Sequence, residues 1–442
     1  MVAVGASGLQ AGALSDLVTD PGKPWTMSTT LRGFYDTNPN TAKSGSPNDD
    51  DSFGYEVSPS LQFSFPWEQT SLNFGYVYSM KYYGTQPAYQ SGHVDNTHKF
   101  NGALTHAFSE RYSLSVRESF VIGQEPDLLR AGNTYDTFQF ISGDNKRNYG
   151  SITFFAQMTP ELGVEVGYAN TLYDYQDNNY SVTPGFPAGG PPWFIPPVVN
   201  NSLSGINDRM DNVAHLDVRY QIMPQTVGVI GYQFRETLYT ADEPIYYDPS
   251  RNKTDNSDTL NARSHYGYAG LDHNFRKDLT ASFRAGGRYT DYYNNPAGQS
   301  TGSPYAMTSL QYLYMQGSYF QMGSSYDYTS IYQGAFRPDP NNGDLTLNAN
   351  SFTIFGTLSH RITQQIRGTL TGQFQDSEYY GGDNDGRTDK FYTAGVNLQY
   401  QFPPMGNLSL SAEVGWSYDK LDSHVYESYN RNRVYIGVTG SF

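Results

Sequence analysis

The sequence predicts an all-β chain: a transmembrane, antiparallel up-and-down β-barrel of about 18 strands, with short periplasmic turns and long outer loops. Three observations carry that prediction. Apolar and polar residues alternate with a period of two along many segments, which puts one kind on each face of a strand. Aromatic residues make up 15% of the chain and charged residues only 16%, against roughly 25% charge in an ordinary soluble domain. Tight turns and long polar connections take turns in separating the segments, an asymmetry shared with bacterial single-chain barrels.

Four segments show the alternation well. From Leu72 to Tyr82, Phe74, Tyr76, Tyr78 and Met80 oppose Asn73, Gly75, Ser79 and Lys81. From Ala214 to Ile222, Leu216, Val218 and Tyr220 oppose His215, Asp217, Arg219 and Gln221. Tyr392–Phe402 and Leu408–Tyr418 follow the same rule, the second setting Leu410, Ala412, Val414 and Trp416 against Ser409, Ser411, Glu413 and Ser417. None has a helical period. Tight turns are expected at Pro66–Gln69, Ser109–Arg111, Thr159–Leu162, Pro224–Gln225, Arg276–Leu279, Gln316–Ser318, Thr363–Gln365 and Pro403–Asn407. Longer connections fall near 38–52, 84–95, 125–145, 177–209, 240–258, 293–304, 337–347, 380–388 and 420–429. Eight turns and nine loops join eighteen strands, an even number, with both termini on the short-turn side. The turn between Tyr305–Met315 and Tyr319–Phe336 is the least marked.

The barrel is expected to occupy residues 26–442 as a single body. Residues 1–25 are read as an N-terminal periplasmic tail or the remnant of a signal peptide, because Val2–Leu14 is small and apolar with no Lys or Arg before it. At the other end Val434, Ile436, Val438 and Phe442 share one face. A terminal aromatic, Phe442, with Gly437 five residues earlier, resembles the C-terminal signal read by the barrel assembly machinery, although Gly440 stands where a second aromatic is usual. A soluble sandwich or propeller fits less well. No blade-sized repeat is present, and such long Tyr and Phe stripes would expose large apolar patches to water. In a bilayer they form the lipid face and its two aromatic girdles.

Composition excludes several classes. The chain has no cysteine, so disulfides, thiolate metal sites and a cysteine nucleophile are absent from the options. Its net charge of −15 argues against nucleic acid as a partner. No apolar run is long enough to span a bilayer as a helix.

If the apolar stripes face lipid, the opposite face lines the interior. By parity it carries Arg32, Lys99, Arg117, Arg219, Arg235, Arg284, Arg288 and Arg367, together with Glu56, Glu165, Asp217, Asp272 and Glu413. So many charges cannot be desolvated cheaply, which predicts a wet interior. A hole of this kind passes small hydrophilic solutes and ions by passive diffusion, with selectivity set by width and fixed charge. The acidic excess then belongs to outer loops: Asp49, Asp50 and Asp51, Asp242 and Glu243, Asp383 and Asp385. Acids at a constriction would favour cations, and an anion preference would mean that the Arg-bearing wall dominates. The same acids could equally solvate the outer face or bridge divalent cations among lipopolysaccharide. The DNDG at Asp383–Gly386 lacks the spacing of an EF-hand loop, so no metal site and no cofactor are expected.

Residues 177–209 hold six prolines between Pro184 and Pro197, around Trp193-Phe194. Proline stiffens the path, so Pro184, Phe186, Trp193 and Phe194 are candidates for a constriction folded into the lumen, or for an outward latch between subunits. Residues 125–145 are the second candidate, offering Glu125, Asp127 and Arg130 as fixed charge. Phe34, Tyr173 and Phe355 are aromatic residues that could point inward.

The run RGFYDTNPN at Arg32–Asn40, followed by Tyr55-Glu56-Val57-Ser58-Pro59-Ser60-Leu61, resembles the putative β-barrel porin 2 family, as do Phe74-Gly75-Tyr76 and Tyr326-Asp327-Tyr328. The resemblance implies a porin of the outer membrane of a Gram-negative-type bacterium, and it carries no site residues across. A homotrimer is expected by analogy with wide porins. An enzyme would need a nucleophile with a positioned base. No G-x-S-x-G accompanies the histidines; His98 and His106, about 26 Å apart along one strand, and His215 beside Asp217 read instead as polar lumen residues. A plugged structural or adhesive barrel, binding a partner through its outer loops, is the alternative. A conduit for an electron carrier has no CxxCH haem site to support it.

Overall fold

The computed structural model describes residues 23–86, 92–124, 144–176, 178–183, 186–187, 194–195, 198–200, 202–248, 253–295, 298–329, 346–425 and 428–442. The first half of the wall consists of β1 (Trp25–Asp36), β2 (Ser52–Pro66), β3 (Thr70–Tyr83), β4 (Val94–Ala107), β5 (Tyr112–Gly123), β6 (Asn145–Gln157) and β7 (Leu162–Tyr175). The next connection contains β8 (Ser181–Thr183) paired with β11 (Val198–Asn200), β9 (Phe186–Pro187) paired with β10 (Phe194–Ile195), and the helix α1 (Leu203–Asn207). The wall resumes with β12 (Arg209–Met223) and β13 (Thr226–Tyr239), followed by the loop hairpin β14 (Pro244–Asp248) and β15 (Lys253–Asn256). It is completed by β16 (Ala262–Arg276), β17 (Leu279–Asp291), β18 (Ser300–Met315), β19 (Ser318–Thr329), β20 (Asn348–Arg361), β21 (Ile366–Tyr380), β22 (Thr388–Gln401), β23 (Ser409–Ser423) and β24 (Tyr429–Ser441).

Eighteen of these strands form one antiparallel sheet, and β1 pairs with both β2 and β24, so the sheet closes on itself. Closure pairs the edge groups that would otherwise be orphaned in hydrocarbon. All eight expected turns are present. Three of them use a loop hydrogen bond of one shape: Phe108 N–H to Tyr112 O, Met158 N–H to Leu162 O, and Ile362 N–H to Ile366 O. The least marked turn is also a tight one, and Gly317 there has φ +75°, a conformation that a side chain would strain.

The burial pattern is that of a soluble protein turned inside out. On β12, Leu216, Val218 and Tyr220 are 46%, 41% and 55% exposed, while Asp217 and Arg219 between them are 7% and 6% exposed. On β24 Val434, Ile436, Val438 and the final Phe442 all face outward. An apolar outer surface on a closed barrel makes this a transmembrane barrel of the bacterial outer-membrane type. Its aromatic residues collect in two belts. Trp25–Phe442, Phe65–Trp67 and Tyr112–Phe154 mark the short-turn end, with ring centroids 6.1, 5.7 and 6.3 Å apart. Tyr35–Phe53, Tyr55–Tyr82 and Phe374–Tyr392 mark the other end, at 4.7, 5.2 and 5.0 Å.

One reading of the histidines is corrected here. His98 and His106 do share a face, but it is the outer one. His98 lies against Tyr76 and Tyr78 on the face of the exposed Phe74, and His106 packs edge-on to Phe108 at 4.5 Å. Parity along β4 places both with the exposed Phe100. An imidazole edge that meets a hydroxyl suits a girdle, as Thr70 Oγ1 at 2.7 Å from His106 Nδ1 illustrates.

Candidate functional site: the lumen face and its outer cap

The inward face is a set of ion-pair networks stitched across neighbouring strands. On β7, β12 and β16, Arg219 Nη2 donates to Asp272 Oδ2 at 2.6 Å and Nη1 lies 3.8 Å from Glu165. Arg284 on β17 reaches the same Asp272 at 2.8 Å, His215 Nε2 stands 3.5 Å from Glu165, and Tyr268 donates to Asp217 at 2.6 Å. Nearer the outer end, Asp211 holds Arg235 at 3.1 Å and Arg209 at 3.4 Å and accepts from Thr237. Arg288 donates to Asn350 and lies 3.5 Å from Asp327. Across the closure of the barrel, Arg32 bridges Glu56 at 3.0 Å and Glu413 at 2.5 Å. Asn397 donates to Glu413 as well.

The charges that parity places inside therefore separate into two groups. Asp217, Arg219, Arg235, Asp272, Arg284 and Arg288 are buried, all on β12, β13, β16 and β17. Arg32, Glu56, Lys99, Arg117, Glu165, Arg367 and Glu413 are partly exposed, on β1, β2, β4, β5, β7, β21 and β23. The sequence reading missed Arg209, Asp211, Asp327, Asp36, Arg431 and Arg433, which complete these networks. Their signal was the same parity, carried to the strand ends. They add as many carboxylates as guanidinium groups, so the basic excess of the wall is unchanged, but most of its guanidinium groups have a carboxylate within ion-pair reach.

The loop acids make local contacts. Asp51 accepts from Tyr35 on the outer face, Asp49 from Gly45 N–H, Asp242 from Asn256 and Asp385 from Gly381 N–H. The inward aromatic residues are also occupied. Phe34 is buried against Tyr83 at 5.3 Å, and Tyr173 lies under Arg209 at 4.4 Å. Phe355 lies over Gly323, where an added Cβ would meet its ring at 2.5 Å.

At the outer end the barrel carries an apolar cap. Ile206 of α1, Ile245 of β14, Leu260, Tyr292 and Leu347 come from loops; Tyr239, Tyr328 and Tyr379 come from the ends of β13, β19 and β21. All are buried in one cluster. The proline-rich stretch was the expected constriction. Pro184 and Trp193 lie outside the described residues, as do the side chains of Phe186 and Phe194, and Glu125, Asp127 and Arg130. β8, at the start of that stretch, is exposed, and among the described residues of the connection α1 packs against the cap through Ile206. Ser202 caps α1 by accepting from Gly205 N–H at 2.8 Å.

Asp208 ends α1 and anchors it by accepting from Tyr175 N–H at 2.7 Å. Burial, with Asp174 and Glu243 nearby, outweighs that bond and pushes its carboxyl up to about 7. The folded loop thus prefers the neutral acid. Its contribution is complete below the ordinary carboxylate range and declines as pH rises through about 7. Amide exchange over residues 202–208 should accelerate between about pH 4 and pH 7 beyond the intrinsic chemical rate, and Asp208→Asn should remove the extra acceleration. A pH-independent protection factor in the unsubstituted protein would contradict this.

Comparison with known proteins gives three findings. The family model described as "Putative beta-barrel porin 2" matches residues 351–442, essentially the last five strands, and not the N-terminal motifs that carry the resemblance in the sequence. No curated protein matches the chain. Among solved structures, a BenF-like porin from Pseudomonas fluorescens Pf-5 is 12% identical over 95% of this chain and 99% of that chain, with a TM-score of 0.44. OccAB4 of Acinetobacter baumannii is likewise 12% identical over 95% and 99%, with a TM-score of 0.43. The outer membrane protein opdK from Pseudomonas aeruginosa has the same identity and coverage, 12%, 95% and 99%, and a TM-score of 0.42.

Proposed function

We propose that the protein is a porin: a water-filled channel through the outer membrane for passive diffusion of small hydrophilic solutes and ions, narrowed by an inward-folded loop. The observation that carries this reading is the polar, ion-paired face turned inward in a closed sheet of 18 strands. Barrels of 16–18 strands are wide enough to hold an aqueous channel. The outward apolar band suits outer-membrane lipid, and exposed rim pairs such as Lys146–Asp174 suit lipopolysaccharide. Phe442, pairing with Met27 across the seam, and Gly437 are the proposed signal for the barrel assembly machinery. A homotrimer is the proposed assembly. The chain is read as a transport protein and not an enzyme, and His215 meets a carboxylate rather than a nucleophilic hydroxyl.

The apolar cap favours a second reading, a plugged barrel that binds a partner through its outer loops. Planar-bilayer recording separates the two. Purified protein should give stepwise, ohmic conductance in monovalent salt. Silence over many verified insertions would sink the channel reading and leave the plug.

A further inference from the structure

We propose that copies of the chain meet along the lipid-facing wall of β4–β7 and β12, where a neighbouring copy donates hydrogen bonds to Glu118. This rests on the proposed homotrimer and says which face makes the contact.

Parity on β5 sends Arg117 inward and its neighbour Glu118 outward. Glu118 is exposed, and it shares its face with Tyr112 and Ile122, which are 40% and 38% exposed. Leu114, Val116 and Phe120 lie on that face too, so apolar residues stand both below and above the carboxylate. From Tyr112, in the short-turn belt, Glu118 is about 20 Å along the strand and roughly 15 Å higher. That is within an apolar band about 25 Å tall. Other outward charges, such as Lys146 with Asp174, Arg263 with Glu236 and Lys420 with Asp422, are paired near the outer ends of their strands. Glu118 has no hydrogen bond or ion pair among the described residues. Lipid tails offer it no donor, and head groups lie at the rims.

The surface around it is shaped for close approach. In register, Glu118 stands between Gly102 of β4 and Gly150 of β6. An added Cβ at Gly150 would meet Glu118 Oε2 at 2.8 Å, so the carboxylate lies flat across that strand. Two absent side chains leave a notch beside Phe100, Phe120 and Ile152, and small residues let backbones approach closely in a bilayer. The same row continues through Asn170 of β7 to Asn212 of β12. Tyr168 Oη and Asn170 Nδ2 both donate to Asn212 Oδ1, at 2.6 and 2.9 Å. The amide nitrogen of Asn212 has no partner among the described residues. One face thus carries a carboxylate that needs donors and an amide that needs an acceptor. A second copy inserted in the same orientation supplies both, so the face is complementary to itself.

The chain has no cysteine, so a single introduced thiol places one spin label in each copy. Ser109 and Thr363 hold the same position in two turns of one shape, β4–β5 and β20–β21, on opposite sides of the ring of 18 strands. In the oligomer reconstituted in a bilayer, pulsed dipolar spectroscopy should give a shorter distance between copies for labelled Ser109→Cys than for labelled Thr363→Cys. Independently, Glu118→Leu removes the carboxylate and Gly102→Leu fills the notch, where an added Cβ meets only Glu118 Cβ, at 3.9 Å. Each should raise the dissociation constant of the oligomer by about tenfold, while gel mobility shows the barrel still folded. Glu118→Gln, which still accepts a hydrogen bond, should lose less. Equal distances, a shorter distance at Thr363→Cys, or an unchanged dissociation constant in both leucine variants overturns the proposal. An unsubstituted protein that is monomeric in the same bilayer would instead defeat the homotrimer reading beneath it.

Discussion

Asp36→Asn should lower the stability of the folded barrel by about 3 kcal/mol, read as an earlier midpoint in urea unfolding followed by gel mobility. Asp36 ends β1 and is fully buried. Arg431 donates through Nε to both of its oxygens at 3.0 Å and through Nη2 at 2.5 Å. Arg433 donates to Oδ2 through Nε and Nη2, both at 3.0 Å. One carboxylate thus holds two cations of β24 to β1, at the joint where the first strand meets the last. The amide keeps the shape but removes the charge and one acceptor, and it leaves Arg431 buried beside a neutral group. Breaking a buried pair from one side costs about 3–5 kcal/mol; the lower figure applies because Asp419, also buried, faces the same two arginines. Asp422→Asn is the control. Its partner Lys420 is 3.6 Å away and both are exposed, so the change should be within about 1 kcal/mol. Equal midpoints for the two variants would remove the seam from the account of stability.

The seam also marks where the sequence is legible and where it is not. Alternation and turn chemistry depend on neighbours, so strands, turns, lipid face and end-strand pattern could all be read locally. The run Arg32–Asn40 stood out as a motif without a stated purpose. In the fold, Arg32 bridges Glu56 and Glu413, Asp36 holds Arg431 and Arg433, and Asn38 donates to Asn430 O. Each partner on β23 or β24 lies nearly the full chain away, and no local pattern names it. Parity sorts charged residues by strand face, yet it does not say which of those charges are closed over. That depends on Tyr266, Tyr305 and Met307, which come from two different strands. The histidines of β4 were misread because imidazole is polar in sequence, while a girdle accepts it edge-on to Phe108. The cap was invisible for a further reason. Ile206, Ile245 and Leu260 are single apolar residues in polar loops, with no period to announce them.

Ile206→Asn should enlarge the outer mouth and raise single-channel conductance by about twofold. Ile206 is fully buried, and its cluster spans loop and strand ends from β13 round to β21. Emptying an isoleucine site costs about 2–5 kcal/mol, and the amide would add an unsatisfied polar group. The five-residue α1 cannot offset that loss, since a helix so short has no stability without packing. It would leave the cap while the wall, held by its own ladder, stays closed. The order of effects identifies the constricting element. If α1 narrows the mouth, Ile206→Asn exceeds a deletion of Pro184–Pro197 that leaves residues 202–208 in place. If the proline-rich stretch does so, the deletion gives the larger rise. Unchanged conductance in both, with the oligomer lost on a gel, would make this connection a latch between subunits. The wall is specified by pairing that every strand shares, whereas the cap hangs on one cluster. A single substitution there can therefore change permeation without unfolding the barrel.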